Sequence, residues 1–166
     1  MFIDVTTEQQ IETVARLARA IWGEHYIPII GKEQTEYMLE QFQSADAVAK
    51  QIRSEDYLYF LIEPEGSPVG YLAVQPRPDD LLLSKIYLER DLRRHGIGHK
   101  SIGFVEALAK KLGKPAITLT VNRHNIGSIA AYSRWGFCII DTVVTEIGSG
   151  FVMDDYVMQK KTASES

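Results

Sequence analysis

A single cysteine, Cys138, stands among 166 residues, which excludes an internal disulfide and any zinc cluster built on cysteine. No run of eighteen apolar residues occurs, so no membrane span is expected. The leading Met1-Phe2-Ile3-Asp4-Val5 has no basic segment followed by an apolar stretch, and no export signal is expected from it. These absences together point to the cytoplasm. Positive charge is also short: 18 Lys and Arg face 22 Asp and Glu, a formal net charge of -4. A general nucleic-acid binder would need a basic surface to displace counterions from phosphates. Internal repeats, low-complexity tracts and linker-like stretches are absent as well.

What remains is the composition of a soluble globular chain, 45% hydrophobic and 24% charged. Its length suits one core, and residues 1–160 are expected to form one domain followed by a loose tail over 161–166. Phe2 to Val5 reads as a strand, and Thr7 with Gln10 has the spacing of a helix capping box. The helix that follows is expected to end near Trp22, with Ile11, Val14, Ala15, Ala18, Ile21 and Trp22 as its buried stripe. Gly23 to Gly31, with Pro28, reads as a loop. Lys32 to Phe42 is helical, and Ser44 caps a further helix through Arg53.

Tyr57 to Ile62, Val69 to Gln75 and Leu81 to Leu88 read as a three-strand meander joined by turn-rich segments. A helix from Gly96 to Leu112 presents Ile102, Val105, Leu108, Ala109 and Leu112 on one face and stops at Gly113. Ile117 to Val121 is then a strand buried on both faces, and the crossover makes it parallel to Leu81–Leu88. Asn125 caps a helix to about Trp135, and a long hairpin closes the chain around Gly148-Ser149-Gly150. The expected architecture is α+β: a mainly antiparallel sheet with one parallel, splayed strand pair, flanked by four to five helices.

Between Lys85 and Lys100 the local charge turns basic. There Gly96 and Gly98 open a helix, leaving amide hydrogens unpaired where the helix dipole is positive. With Arg93 and Arg94 beside them this is a site for an anion such as a pyrophosphate. The alternative is a tight turn flanked by solvated arginines, and the six residues alone leave both readings open. Neither of two better-known phosphate loops fits. Three glycines after a strand of a parallel sheet are missing, and Gly98 is followed by His99-Lys100 rather than lysine and serine or threonine.

Arg93, Gly96 and Gly98, placed after Lys85-Ile86-Tyr87-Leu88, together with Asn122, Asn125, Ala131-Tyr132 and Trp135-Gly136-Phe137, resemble the two signature motifs of the GNAT superfamily of N-acetyltransferases. The resemblance extends over nearly the whole chain. It implies acetyl-CoA as co-substrate, its pantetheine arm entering where the parallel strands splay. Backbone groups of Ile86, Tyr87 and Leu88 would meet that arm. Arg93, Arg94, His95, Gly96, Ile97, Gly98 and His99 would hold the pyrophosphate, with Asn125, Ser128 and Tyr132 also facing the cofactor. The implied reaction is direct attack by a primary amine in a ternary complex.

Such a reaction needs a neutral amine, a stabilised oxyanion and a proton for the departing thiolate. Tyr132 resembles the family's general acid, and Asn125, Ser128 and Tyr132 share a helical face. Its other reading is a core tyrosine with a satisfied hydroxyl. The oxyanion donor is expected at the backbone amide of Leu88 or its neighbour. Some relatives carry a basic glutamate on the strand before the glycines, but Leu83-Ser84-Lys85-Ile86-Tyr87 has none. Glu24 is the catalytic candidate that remains, and Glu24, His25, Tyr26 and Glu146 are candidates for the acceptor site, although a helix-end glutamate is more often simply solvated. His95 and His99 have the spacing of a zinc pair but no third ligand, so no metal is expected. Cys138 reads as a small core residue.

The segment from Thr145 to Tyr156 and the helix from Ile126 to Tyr132 look similar to bacterial polyamine acetyltransferases of the spermidine type. Glu24, Glu36 and Glu146 would suit a cationic acceptor. A protein or peptide amine, ribosomal-protein N-termini included, is the second acceptor class. The rival class is a CoA-binding module without catalysis. No nucleic-acid or membrane partner is expected, and a homodimer through the last strands stays open.

Overall fold

The computed structural model describes residues 1–89 and 96–162. Along the chain run β1 (Phe2–Asp4), α1 (Glu8–Ile30), α2 (Lys32–Phe42), α3 (Ala45–Ser54), β2 (Leu58–Ile62), β3 (Gly70–Pro76) and β4 (Leu81–Leu88), then α4 (Ile97–Lys111), β5 (Ala116–Asn122), α5 (Ile126–Arg134), β6 (Cys138–Gly148) and β7 (Phe151–Lys161). The strand order is β1-β2-β3-β4-β5-β7-β6. The β4–β5 pair is parallel, whereas β1–β2, β2–β3, β5–β7 and β6–β7 are antiparallel. With five helices among the described residues this is the expected α+β architecture. Two compact units emerge: Met1–Gln75 with Ser84–Gly98, and Pro76–Leu83 with His99–Ser166.

In the first unit, Thr7 accepts from the Gln10 amide and the Gln10 side chain accepts from the Thr7 amide, the reciprocal cap that the spacing predicts. The helix it starts does not end near Trp22. It continues through Gly23 and Pro28 to Ile30. Proline removes one intrahelical bond and glycine weakens a helix interior by about 1 kcal/mol, so packing must override local preference. Trp22 and Tyr26 supply that packing, their rings 5.1 Å apart on successive turns. Gly31, at φ 88°, ends the helix with its N–H on the Ile27 carbonyl. The buried stripe includes Leu17 in place of the expected Ala15. Ser44 caps α3 by accepting from the Ala47 amide. Gly70 lies so close to β4 that an added Cβ would meet the Tyr87 carbonyl oxygen at 2.2 Å.

In the second unit, β4 and β5 pair at Leu81–Ile117 and Leu82–Thr118, whereas β5 stays paired with β7 as far as Asn122–Asp155. Ile102, Val105 and Ala109 of α4 are buried with Ile117, Leu119, Phe137 and Met158. Leu112, expected on that face, is exposed, because Gly113 at φ 70° turns the chain out of the helix just beyond it. Two further expectations change. Cys138 is exposed rather than part of the core, since β6 lies at a sheet edge and most of its residues remain open. Lys161, placed in the tail by sequence, belongs to β7, paired with Ala116. Among the described residues no helix is long and apolar enough to cross a membrane.

Candidate functional site

Extension of α1 past Trp22 positions the residues that the sequence singled out there. Tyr26 reaches Tyr87 of β4, hydroxyl to hydroxyl at 2.8 Å. Trp22 packs against both rings, and His25 meets Tyr26 edge-on at 4.9 Å. An expected acceptor residue and an expected cofactor residue are thereby in direct contact. Glu24 is exposed on the same helix, and Glu146 is exposed on β6 of the second unit.

Beside Tyr87, on the same face of β4, lies Lys85, which sequence spacing passed over. Its Nζ is 2.8 Å from Ser84 Oγ and stands over the rings of Tyr57 and Tyr59 at 5.0 and 5.7 Å. Burial pulls the amine down to about 8, and Glu55 opposes that shift. A buried network continues from here. Tyr59 donates to Gln51 Oε1 at 2.5 Å and accepts from Gln43 Nε2 at 3.1 Å, while Tyr71 donates to Gln43 Oε1 at 2.6 Å. Burial raises both tyrosines above the usual phenol range, so they remain neutral donors.

Gly96, at φ 74°, precedes α4, whose first turn carries no acidic residue. Positive φ is the conformation for which glycine is needed. Ile97 and Gly98 are buried in that turn and His99 is exposed. Arg93, Arg94 and His95 lie outside the described residues. Among the described residues no group of three side chains is arranged to hold a metal ion.

Asn125 caps α5, its side chain accepting from the Ser128 amide at 3.4 Å. About two turns on from Asn125, half-buried Tyr132 packs its ring against Trp135 at 6.0 Å and Phe137 at 5.8 Å. Lys160 of β7 donates to the Trp135 carbonyl and pairs with Glu106 of α4, so α4 and α5 cover the same face of this unit's sheet. The opposite face carries two polar features that the sequence reading did not single out. Asp80 binds Arg77 twice at 2.6 Å and accepts from Thr118 at 2.7 Å. These bonds, led by that to Arg77, hold its carboxyl low. Asp155 is only 5% exposed and has no side-chain partner among the described residues. Burial, then Asp154 beside it, pushes its carboxyl up to about 6. Its signal in the sequence is a carboxylate interrupting the alternate row Met153, Val157.

A profile of the acetyltransferase (GNAT) family matches residues 15–137. No curated protein sequence matches the chain. Among solved structures, the PaiA N-acetyltransferase of Thermoplasma acidophilum, in complex with coenzyme A, is similar with a TM-score of 0.79 and 23% identity, over 94% of this chain and 95% of that one. A GCN5-related N-acetyltransferase of Rhodopseudomonas palustris has a TM-score of 0.79 at 17% identity, covering 97% and 94%. The ribosomal-protein-S18-alanine N-acetyltransferase of Escherichia coli has 0.73 at 18%, covering 100% and 96%. At these identities the likeness concerns the fold.

Proposed function

The chain belongs to the acetyltransferase (GNAT) family, and from that premise we propose that residues 1–160 act as one cytoplasmic domain moving an acetyl group from acetyl-CoA to a primary amine, a polyamine being the preferred class. The observation that carries this reading is the turn at Gly96. A glycine at positive φ precedes α4, the helix that follows β4 in the chain, with no carboxylate in the first helical turn to compete for an anion. The amides of Gly96, Ile97, Gly98 and His99, with Arg93, Arg94 and His95, would hold the pyrophosphate. Backbone groups of Ile86, Tyr87 and Leu88 would pair with the pantetheine arm, and Asn125 and Ser128 would flank it. Bound there, acetyl-CoA supplies an activated thioester carbonyl.

The chain's own groups do the rest. Tyr132 is held by two aromatic neighbours at the end of α5, and its hydroxyl protonates the departing sulfur. Tyr26 and His25 orient the amine. Glu24 and Glu146, both exposed, draw in a cationic acceptor, as does the net negative charge. The test is an acceptor screen that follows thiol release with spermidine, monoamines and peptide N-termini. Spermidine should lead the panel. Preference for peptides would move the acceptor to the second class, whereas CoA binding without thiol release, unchanged by Tyr132→Phe, would mark a non-catalytic module.

Exposed apolar residues on β6, Ile139, Ile140 and Val144 among them, suit a second copy of the chain at this sheet edge. Sedimentation should show a dimer that Ile140→Glu dissociates; a monomeric wild type removes the idea.

A further inference from the structure

Amines arrive as ammonium ions at neutral pH, and attack requires that one proton leave first. Glu24, the sequence candidate for this task, is exposed on α1. Lys85, the titratable group on β4, would itself be cationic below about pH 8. The second unit contains a better group.

Asp155 lies opposite Asn122 at the carboxyl end of β5, four residues past Thr118, where the pairing of β5 with β4 is last seen. The β5–β7 ladder is regular from Ala116–Lys161 to Asn122–Asp155, so strand alternation puts Lys160 and Asp155 on opposite faces. Lys160 touches α4 and the end of α5. Asp155 therefore occupies the face away from the helix that carries Tyr132. Addition of an amine to a thioester carbon followed by loss of the thiolate uses two proton-transfer groups, and this division keeps the acceptor for the amine proton apart from the donor to the sulfur.

We propose that the Asp155 carboxylate is the proton acceptor for the incoming amine, an inference that rests on the acetyltransferase reading above. The carboxylate takes one proton from the ammonium and passes it to water. The freed nitrogen lone pair adds to the acetyl carbon, the carbonyl electrons moving onto oxygen, and the re-forming carbonyl then expels the sulfur. The sulfur takes a proton from Tyr132, which recovers it from the second nitrogen proton. The sum is amide, thiol and one released proton.

Two observations favour this role over a structural one. Among the described residues Asp155 makes no side-chain bond that would stabilise the fold, in contrast to Asp80, which is held by Arg77 and Thr118. Its neighbour Asp154 pairs with Arg123 at 3.0 Å, while no described residue forms an ion pair with Asp155. Among the described residues the other charged groups on its face are Asp80 with Arg77, beside Thr118, Lys161 six residues along β7, and exposed Asp141, opposite Val157. Asn122 and Val143, its direct partners, are uncharged.

The experiment compares wild type with Asp155→Asn for kcat/KM towards spermidine from pH 6 to 10, CoA affinity by calorimetry and Tm. The variant should lose about 100-fold or more in kcat/KM at pH 7, with the deficit narrowing towards pH 10 as the amine arrives neutral. CoA affinity should change less than twofold, and Tm should not fall. Full activity of the variant, a deficit independent of pH, or a fall in Tm accompanying the lost activity overturns the assignment while the enzyme reading stands. A wild type that acetylates no amine overturns the enzyme reading and takes this inference with it.

Discussion

The hydroxyl of Tyr26, near the end of α1, lies 2.8 Å from that of Tyr87 on β4. Either can donate, and both residues are half-buried beside Trp22. Losing one partner of a hydrogen bond in such a place costs about 1 kcal/mol. Tyr87→Phe should lower stability by that amount and raise KM for the amine several-fold, leaving affinity for CoA within twofold. Steady-state kinetics with each substrate varied in turn separates the two effects. A rise confined to the CoA side would remove Tyr26 from the acceptor site.

Lys85 predicts an alkaline gain in stability. In the unfolded chain its amine titrates near 10.4, and burial lowers the folded value to about 8. Below pH 8 both states are protonated, and the folded state bears the desolvation cost. Between the two values the unfolded state binds the extra proton, so stability rises with pH. From pH 8 to 9.5 the gain is about 2 kcal/mol. Urea titrations of wild type and Lys85→Met at both pH values should show it in the wild type alone. Equal slopes would mean that Tyr57 and Tyr59 leave the amine well hydrated.

How much of this was legible beforehand follows from the range of each interaction. The Thr7–Gln10 box, the Ser44 cap and the Asn125 cap are local, written in three or four adjacent residues, and all three formed as read. The extension of α1 through Pro28 was hidden because its cause is the packing of Trp22 and Tyr26 with Tyr87, some sixty residues away in the chain. Lys85 and Asp155 were hidden for the same reason. Each is an ordinary charged residue on a strand until partners distant in sequence bury it, and only then does its proton affinity move. The Gly96 turn was legible because positive φ is a property of one residue.

Gly70 should tolerate no side chain. A Cβ there would sit 2.2 Å from the Tyr87 carbonyl oxygen and 3.1 Å from Leu88 Cα, both backbone atoms that no rotamer change can withdraw. Gly70→Ala should therefore destabilise by about 3 kcal/mol, the upper range for overpacking, and displace the β4 segment that carries Tyr87. Unfolding midpoints and spermidine kinetics should both worsen. A variant with wild-type stability would show that β3 and β4 can separate at this point without cost.

Asp155 carries the complementary pH argument. Its unfolded value is near 3.9, and burial raises the folded value to about 6. Between those values the folded state holds the proton and the unfolded state does not, so stability falls as pH rises through this window and stays lower above it. The deficit reaches at most about 3 kcal/mol. Asp155→Asn keeps the shape and removes the charge, and it should recover part of that deficit at pH 7.5 but none at pH 3.5. A carboxylate that costs stability at working pH yet cannot be removed without loss of turnover is serving the reaction rather than the fold. Calorimetric melting of both proteins at the two pH values checks the sign. A variant less stable than wild type at pH 7.5 would place Asp155 among the supports of the sheet.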